Sequence, residues 1–297
     1  MTLPVSVVVV FKDEERFLGE AVDSVFAQRL DEWELLLVDD GSSDGSPEIA
    51  RQQVGRRPGH VRYLQHPGGA NLGIGASRNL GLEHARGRFV AFLDGDDVWL
   101  PDKLAEQSAI MDSEDVGLVY GPVQLWHSWS QAAGPGADHF VDLGVSPETV
   151  VPAPRLLPQL IENRYQTPTT SGSLLRRDVL ERVGGVDVRF RGMYEDQSLF
   201  TKVLAVSATY VSGRCWTRYR QREDSLSAQF EGAVPYHVGR LRYLTWAEEY
   251  LASSGLTDAE VWRVLREQQF AARHPRLSRV RQRVGTVLAG RRGGGRS

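Results

Sequence analysis

The chain has 297 residues and only one cysteine, Cys215, which excludes an intramolecular disulfide and any multi-cysteine metal centre. Long apolar runs are also missing, since no stretch approaches the roughly 18 uninterrupted apolar residues that a membrane-spanning helix needs. The opening "MTLPVSVVVVFKDEE" carries no basic segment ahead of its short apolar run, so it does not read as a secretory signal. These absences together predict a cytosolic chain. No G-x-x-x-x-G-K-[ST] loop occurs, which excludes a P-loop nucleotidase. "GIGASR" (73–78) comes near the dinucleotide fingerprint, but Arg78 stands where the last glycine belongs. The segment also follows the third strand rather than the first, which excludes a dinucleotide-dependent dehydrogenase.

Basic residues are scarce except at one end. Net charge is −3, yet residues 271–297 hold eight arginines and no acid, leaving 27 basic and 38 acidic groups on the rest. An acidic body with a basic tail argues against a nucleic-acid partner, whose basic groups line a folded face. The tail segment "HPRLSRVRQRVGTVLAGRR" sets Leu277, Val280, Val284, Val287 and Leu288 near one helical face among arginines. It reads either as a solvated terminus or as a basic amphipathic helix for peripheral contact with an anionic membrane surface, the inner face for a cytosolic protein.

What is present is a strand–helix alternation. "VSVVVV" (5–10), "WELLLVDD" (33–40), "VRYLQH" (61–66) and "RFVAFLD" (88–94) read as strands, the longer ones covered on both faces. Helical stripes separate them, one through Phe17, Leu18, Ala21, Val22, Val25 and Phe26, another opening near Pro47. This pattern predicts an α/β fold of three αβα layers around a mostly parallel sheet. Residues 127–154 read as a long excursion, and "SGSLLRRDVLERVGGVD" (171–187) as strand, short helix and glycine cap. "TYVSGRCWTRYRQ" reads as one last strand, and a helical extension follows, with Thr257 and Glu260 as a capping box. The expected division is a catalytic domain over 1–228 and a helical C-terminal extension over 229–297.

Ligands of parallel sheets bind at the carboxyl ends of the strands. Here those ends carry Lys12 and Asp13, Asp39 and Asp40, and the cluster Asp94, Asp96 and Asp97. Three carboxylates within four positions repel one another unless a cation offsets them. An EF-hand fails, because Trp99 and Ala105 stand where its glycine and glutamate belong. Two readings stay open: a solvated Asp/Gly turn, or a divalent-metal site in which diphosphate oxygens complete the ion's shell. Arg78 could reach such a diphosphate or form an ordinary surface ion pair. Glu195 and Asp196 open a helix, either as acids favoured in a first turn or with one of them as a general base. Trp126 and Trp129 could stack on a sugar or pack internally.

Taken together, "PVSVVVVFKDEERFLGEAVDSVFAQ…WELLLVDDGSSDGS", "GASRNLGLEHARGRFVAFLDGDDVWLPDKL" and "GGVDVRFRGMYEDQSLFTKVLA" resemble the inverting family 2 glycosyltransferases of the GT-A fold over about residues 4–228. The resemblance implies that Asp94-Gly95-Asp96 is the DXD motif, with Asp96 a ligand of Mg²⁺ or Mn²⁺ and Asp94 touching both metal and nucleotide sugar. It implies that Asp40, beside Asp39, reads the base in a pocket lined by Val10 and Lys12, that Arg78 lies near the donor phosphates, and that Asp196, next to Glu195, is the catalytic base. It implies a nucleotide-diphospho-sugar donor and a glycan, lipid-linked or small-molecule acceptor, seated between residues 127–170 and the Glu195-Asp196 helix. Two positions depart from the family: Lys12-Asp13 replaces a frequent Tyr-Asn, and Arg222 stands where a histidine is common. The competing expectations are a sugar nucleotidyltransferase, opposed by the lack of glycine in "FKDEERF", and a non-catalytic module binding nucleotide sugar or glycan.

Overall fold

The computed structural model describes residues 4–130, 136–224 and 234–274. The elements in chain order are β1 (Val5–Phe11), α1 (Leu18–Phe26), β2 (Trp33–Asp39), α2 (Ser46–Arg56), β3 (Val61–Gln65), α3 (Ile74–His84), β4 (Phe89–Asp94), β5 (Val98–Trp99), α4 (Lys103–Ser113), β6 (Leu118–Tyr120) and β7 (Gln124–Trp126). They continue with β8 (Thr149–Val151), α5 (Leu157–Glu162), β9 (Leu174–Arg176), α6 (Arg177–Arg182), α7 (Glu195–Val206), β10 (Thr209–Val211), β11 (Thr217–Arg220), α8 (Val234–Ser253) and α9 (Ala259–Arg273).

The main sheet has the order β3-β2-β1-β4-β9-β6-β10-β8. Its first four strands are parallel, as their unbroken β-branched and leucine runs require of strands covered on both faces. Side chains alternate between the faces. Val5, Val7, Val9 and Phe11 of β1 share a core with Leu18, Ala21, Val22 and Val25 of α1 and with Leu104 and Met111 of α4. On the opposite face Val8 meets α3, so closely that a Cβ at Gly81 would overlap it. Helices therefore cover both faces, and each fully buried valine or leucine contributes roughly 1.5–3 kcal/mol.

Two strands place the site. β9 runs antiparallel between β4 and β6, pairing Phe89 with Arg176 and Val90 with Leu175. Extending that register sets Ser171 opposite Asp94, at the carboxyl end of β4. The stretch 209–221 is not one strand. β10 joins the main sheet, while β11 lies in a second sheet of order β5-β11-β7, because the chain turns at 212–216 where Glu148 accepts from Ser212 Oγ and Gly213 N. β11 pairs Thr217 with Trp99 and Arg218 with Val98, which carries Arg220 to Asp96.

The chain divides into two compact units, 1–229 and 230–297. The second unit contains the pair α8 and α9, with Tyr243, Leu244, Ala247, Leu251, Val261, Val264 and Leu265 buried. Its helix cap is Asp258, which accepts from Glu260 N and Val261 N, rather than Thr257. Among the described residues no helix is long and apolar enough to cross a membrane. The basic tail lies outside the described residues.

Candidate active site

At the carboxyl rim of β4 the chain makes a tight turn in which Asp97 N donates to the carbonyl of Asp94. Gly95 N donates to the carbonyl of Val10, joining the turn to β1. A Cβ on Gly95 would lie 2.8 Å from Phe11 Cβ, so glycine is needed for this approach. The turn holds Asp94, Asp96 and Asp97 together, as the sequence suggested, and supplies each with a different partner.

Asp94 accepts from Arg78 Nη2 at 2.6 Å through Oδ1 and from the Thr170 and Ser171 hydroxyls through Oδ2, at 3.1 and 3.4 Å. Arg78 is no surface residue: it is 2% exposed, and its Nη1 donates to Glu195 Oε1 at 3.0 Å. These carboxylates outweigh burial and hold its guanidinium charged, with the pKa raised. Arg78 thus ties α3, the tip of β4 and the first turn of α7 into one ionic unit.

Asp97 is 1% exposed and accepts from Arg220 N. Burial, reinforced by Asp96 and Asp94, pushes its carboxyl well above the usual range. Arg220 donates from Nε to the Asp96 carbonyl and from Nη2 to Glu20, while its guanidinium lies over Phe17, Trp126 and Trp129. The two tryptophans therefore pack internally: Trp129 meets Phe17 edge-on, and its indole N–H is taken by the Gln221 carbonyl.

Asp96 faces the rim. Its Oδ2 lies 3.4 Å from Arg222 Nε, and the other nitrogens of Arg222 form a two-pronged bridge to Glu14 at 2.7 and 3.1 Å. Burial first, then Glu14 and Asp94, push Asp96 up to about 7. Asp196 opens α7 behind Tyr194, whose backbone is left-handed with φ of 67°. Its Oδ1 accepts from Gln197 N, and burial with the neighbouring Glu195 pushes its carboxyl up to about 7.

The loops after β1 and β2 bring together the remaining residues that the sequence singled out. Asp40 is buried and gives Oδ1 to Leu72 N, Gly73 N and Ser77 Oγ, each at 3.0 Å, so it shapes the glycine-rich loop. Asp39 accepts from Ser42 N and Tyr63 Oη. Val10 is buried, and Lys12 is exposed on Asp13, 2.6 Å away. Sequence reasoning missed Glu14, Thr170, Ser171 and Arg220. Ser171 stood at the head of a segment read as strand, and only the antiparallel direction of β9 brings it and Thr170 to Asp94.

A divalent cation fits this rim in one way. Among the described residues no group of three or more His, Cys, Asp or Glu forms a protein-only cage. Mg²⁺ and Mn²⁺ need no such cage, because one or two carboxylates suffice when substrate phosphates complete the shell. Burial first, and then the neighbouring carboxylates, raise Asp96 and Asp97, a cost that Arg78, Arg220 and Arg222 do not remove and that a cation at Asp96 would relieve.

Residues 6–184 match the family model described as glycosyl transferase family 2. An uncharacterized glycosyltransferase of Nostoc sp. is 32% identical over 191 residues, 62% of this chain and 54% of that protein. The Escherichia coli UDP-Glc:alpha-D-GlcNAc-diphosphoundecaprenol beta-1,3-glucosyltransferase WfgD is 31% identical over 121 residues, 41% of this chain and 46% of that protein. The chain thus spans about half the length of curated relatives it matches. Staphylococcus aureus TarS 1–349 in complex with UDP-GlcNAc superposes with a TM-score of 0.69 at 19% identity, over 92% of this chain and 73% of that one. The mannosyltransferase PcManGT of Pyrobaculum calidifontis, in complex with GDP-Man and Mn²⁺, gives 0.61 at 19% identity, over 99% and 76%. The fold is that of the GT-A glycosyltransferases.

Proposed function

The chain belongs to glycosyl transferase family 2, and on that premise we propose that residues 1–228 form an inverting, cation-dependent transferase moving a sugar from a nucleotide-diphospho-sugar to an acceptor hydroxyl. Residues 229–297, in which α8 and α9 are described, form its C-terminal extension. The observation that carries this reading is the Arg78 bridge, which fixes Glu195 and the adjacent Asp196 beside the acidic tip of β4. A donor whose diphosphate lies at Asp94 and Asp96 then presents its anomeric carbon toward α7.

Asp40, Asp39, Val10 and Lys12 receive the nucleoside end. Asp96, with Asp94, would hold the cation, and Mg²⁺ or Mn²⁺ bound there would supply charge neutralisation of the departing nucleoside diphosphate. Asp196 accepts the proton of the acceptor hydroxyl as that oxygen attacks the face of the anomeric carbon opposite the leaving phosphate. A carboxylate pushed up to about 7 suits a base working near neutrality. Glu195, fixed by Arg78, orients Asp196. WfgD, named for a diphosphoundecaprenol acceptor, supports a lipid-linked acceptor, and PcManGT with its Mn²⁺ supports the cation.

The deciding experiment screens a panel of nucleotide sugars by thermal shift with and without Mn²⁺, then assays turnover of Asp196→Asn. Stabilisation by one donor, with binding kept and turnover lost in the variant, supports transfer. Retained turnover removes Asp196 as base, and no response to any nucleotide sugar removes the assignment.

A further inference from the structure

Arg222 is set across the very carboxylate that a metal ion would use. Register delivers it there: β11 pairs Thr217 with Trp99 and Arg218 with Val98, so Arg220 falls beside Asp96 and the chain continues over the tip. Its Nε lies 3.4 Å from Asp96 Oδ2 and 3.4 Å from Oδ1 of the exposed Asp224, while both terminal nitrogens are held by Glu14. The Arg222 side chain is 12% exposed, Glu14 is 15% and Asp96 is 16%, so the three form a nearly closed cluster at the mouth of the donor site. The guanidinium is also stacked over Phe17, which limits where it can move. Arg222 Nε itself is buried and donates to nothing with hydrogen-bond geometry. A buried N–H without an acceptor is costly, and one set between two carboxylates that it bonds to neither of is ready for an incoming anionic oxygen.

Resting on the reading of the site as a cation-assisted donor pocket, we infer that Arg222 is an internal counter-ion that competes with the divalent cation for Asp96 and makes cation binding depend on the donor's diphosphate. A guanidinium and a divalent ion on the same carboxylate repel each other at short range in a poorly solvated site. The ion arriving alone must therefore displace Arg222. A nucleoside diphosphate removes the conflict, because its oxygens complete the ion's shell and give Arg222 Nε an acceptor, while Glu14 keeps the guanidinium in place. The cation and the diphosphate then bind cooperatively, and each strengthens the other by the same factor.

The test uses the full chain and reads free Mn²⁺ by electron paramagnetic resonance, with Mn²⁺ alone and with saturating UDP or GDP. Wild type is expected to bind Mn²⁺ weakly alone and at least roughly tenfold more tightly with one of the two nucleotides. Arg222→Gln is expected to tighten binding of Mn²⁺ alone by roughly tenfold and to lose most of the enhancement by nucleotide. Arg222→Lys keeps the charge and is expected to stay near wild type. Circular dichroism checks that the variants fold, and Arg222→Met replaces the glutamine variant if it does not. Equal affinity of wild type and the uncharged variants for Mn²⁺ alone overturns the inference, as does a wild type that binds Mn²⁺ equally with and without nucleotide. Those outcomes are independent of whether a sugar nucleotide stabilises the wild type or is turned over, which decides the broader assignment.

Discussion

Arg78 and Glu195 are joined by a 3.0 Å bridge across 117 positions of sequence, and the same guanidinium holds Asp94 at 2.6 Å. One buried cation thus keeps the first turn of α7 at the rim of β4. Removing one partner of such a pair leaves buried carboxylates unopposed, at roughly 3–5 kcal/mol. Arg78→Met should lower urea-unfolding stability by about that amount. It should also weaken donor binding, measured by calorimetry. Stability within error of wild type would show that the bridge is not what holds α7.

Asp196 is pushed up to about 7 in the folded chain against an ordinary 3.8. Between those values the folded state keeps a proton that the unfolded state has lost, so stability falls as pH rises through this window and stays lowered above it. Asp196→Asn should therefore melt higher than wild type at about pH 8, by roughly 2 kcal/mol, and equally at about pH 4. Wild-type kcat/KM should climb to a plateau above about pH 7, and the variant should lose about 10²–10⁴ in turnover together with that limb. A variant that keeps the limb would assign it to another group.

Gly95→Ala drives a methyl to 2.8 Å from Phe11 Cβ, and neither backbone can yield without loosening β1 from β4. The expected cost is roughly 1–3 kcal/mol in chemical denaturation, with weaker retention of donor and Mn²⁺ as the acidic turn shifts. Gly55→Ala, on α2 with open space around it, is the control and should cost nothing measurable.

Lys103 is fully buried under the site, where Nζ donates to Gln107 Oε1 and the Ser173 carbonyl and lies over the Trp99 ring. Burial holds its ammonium well below the ordinary 10.5. The unfolded chain binds the proton more readily across that interval, so wild-type stability gains from rising pH there. The stability of Lys103→Met relative to wild type should be highest near about pH 6 and decline toward about pH 10. A flat difference would place the lysine's charge in solvent contact.

Much of this arrangement could be read along the chain. The β-branched runs marked four parallel strands, and their carboxyl ends marked Asp39, Asp40, Asp94 and Asp96, because both signals are local. The partners of those acids were hidden by distance. Glu14 and Arg222 lie 208 positions apart, and Thr170 meets Asp94 across 76. Arg78 looked like a phosphate ligand or a surface residue, since no local pattern shows that two elements will close over it. The break between β10 and β11 was faint for a related reason. The Ser212-Gly213 pair is only a weak local signal, and it becomes a break because Glu148, the residue before β8, accepts from both.

The antiparallel course of β9 has a consequence for how such a protein can diversify. β6 ends and β9 begins at one edge of the barrier between the two helical layers, so residues 121–173 leave and return through neighbouring doors. The excursion is pinned along its way by β7 and β8, by Glu148 on the 212–213 turn, and by Thr170 and Ser171 on Asp94. Transplanting it between related chains should therefore leave the rim of β4 as it was only where those anchors are carried over unchanged.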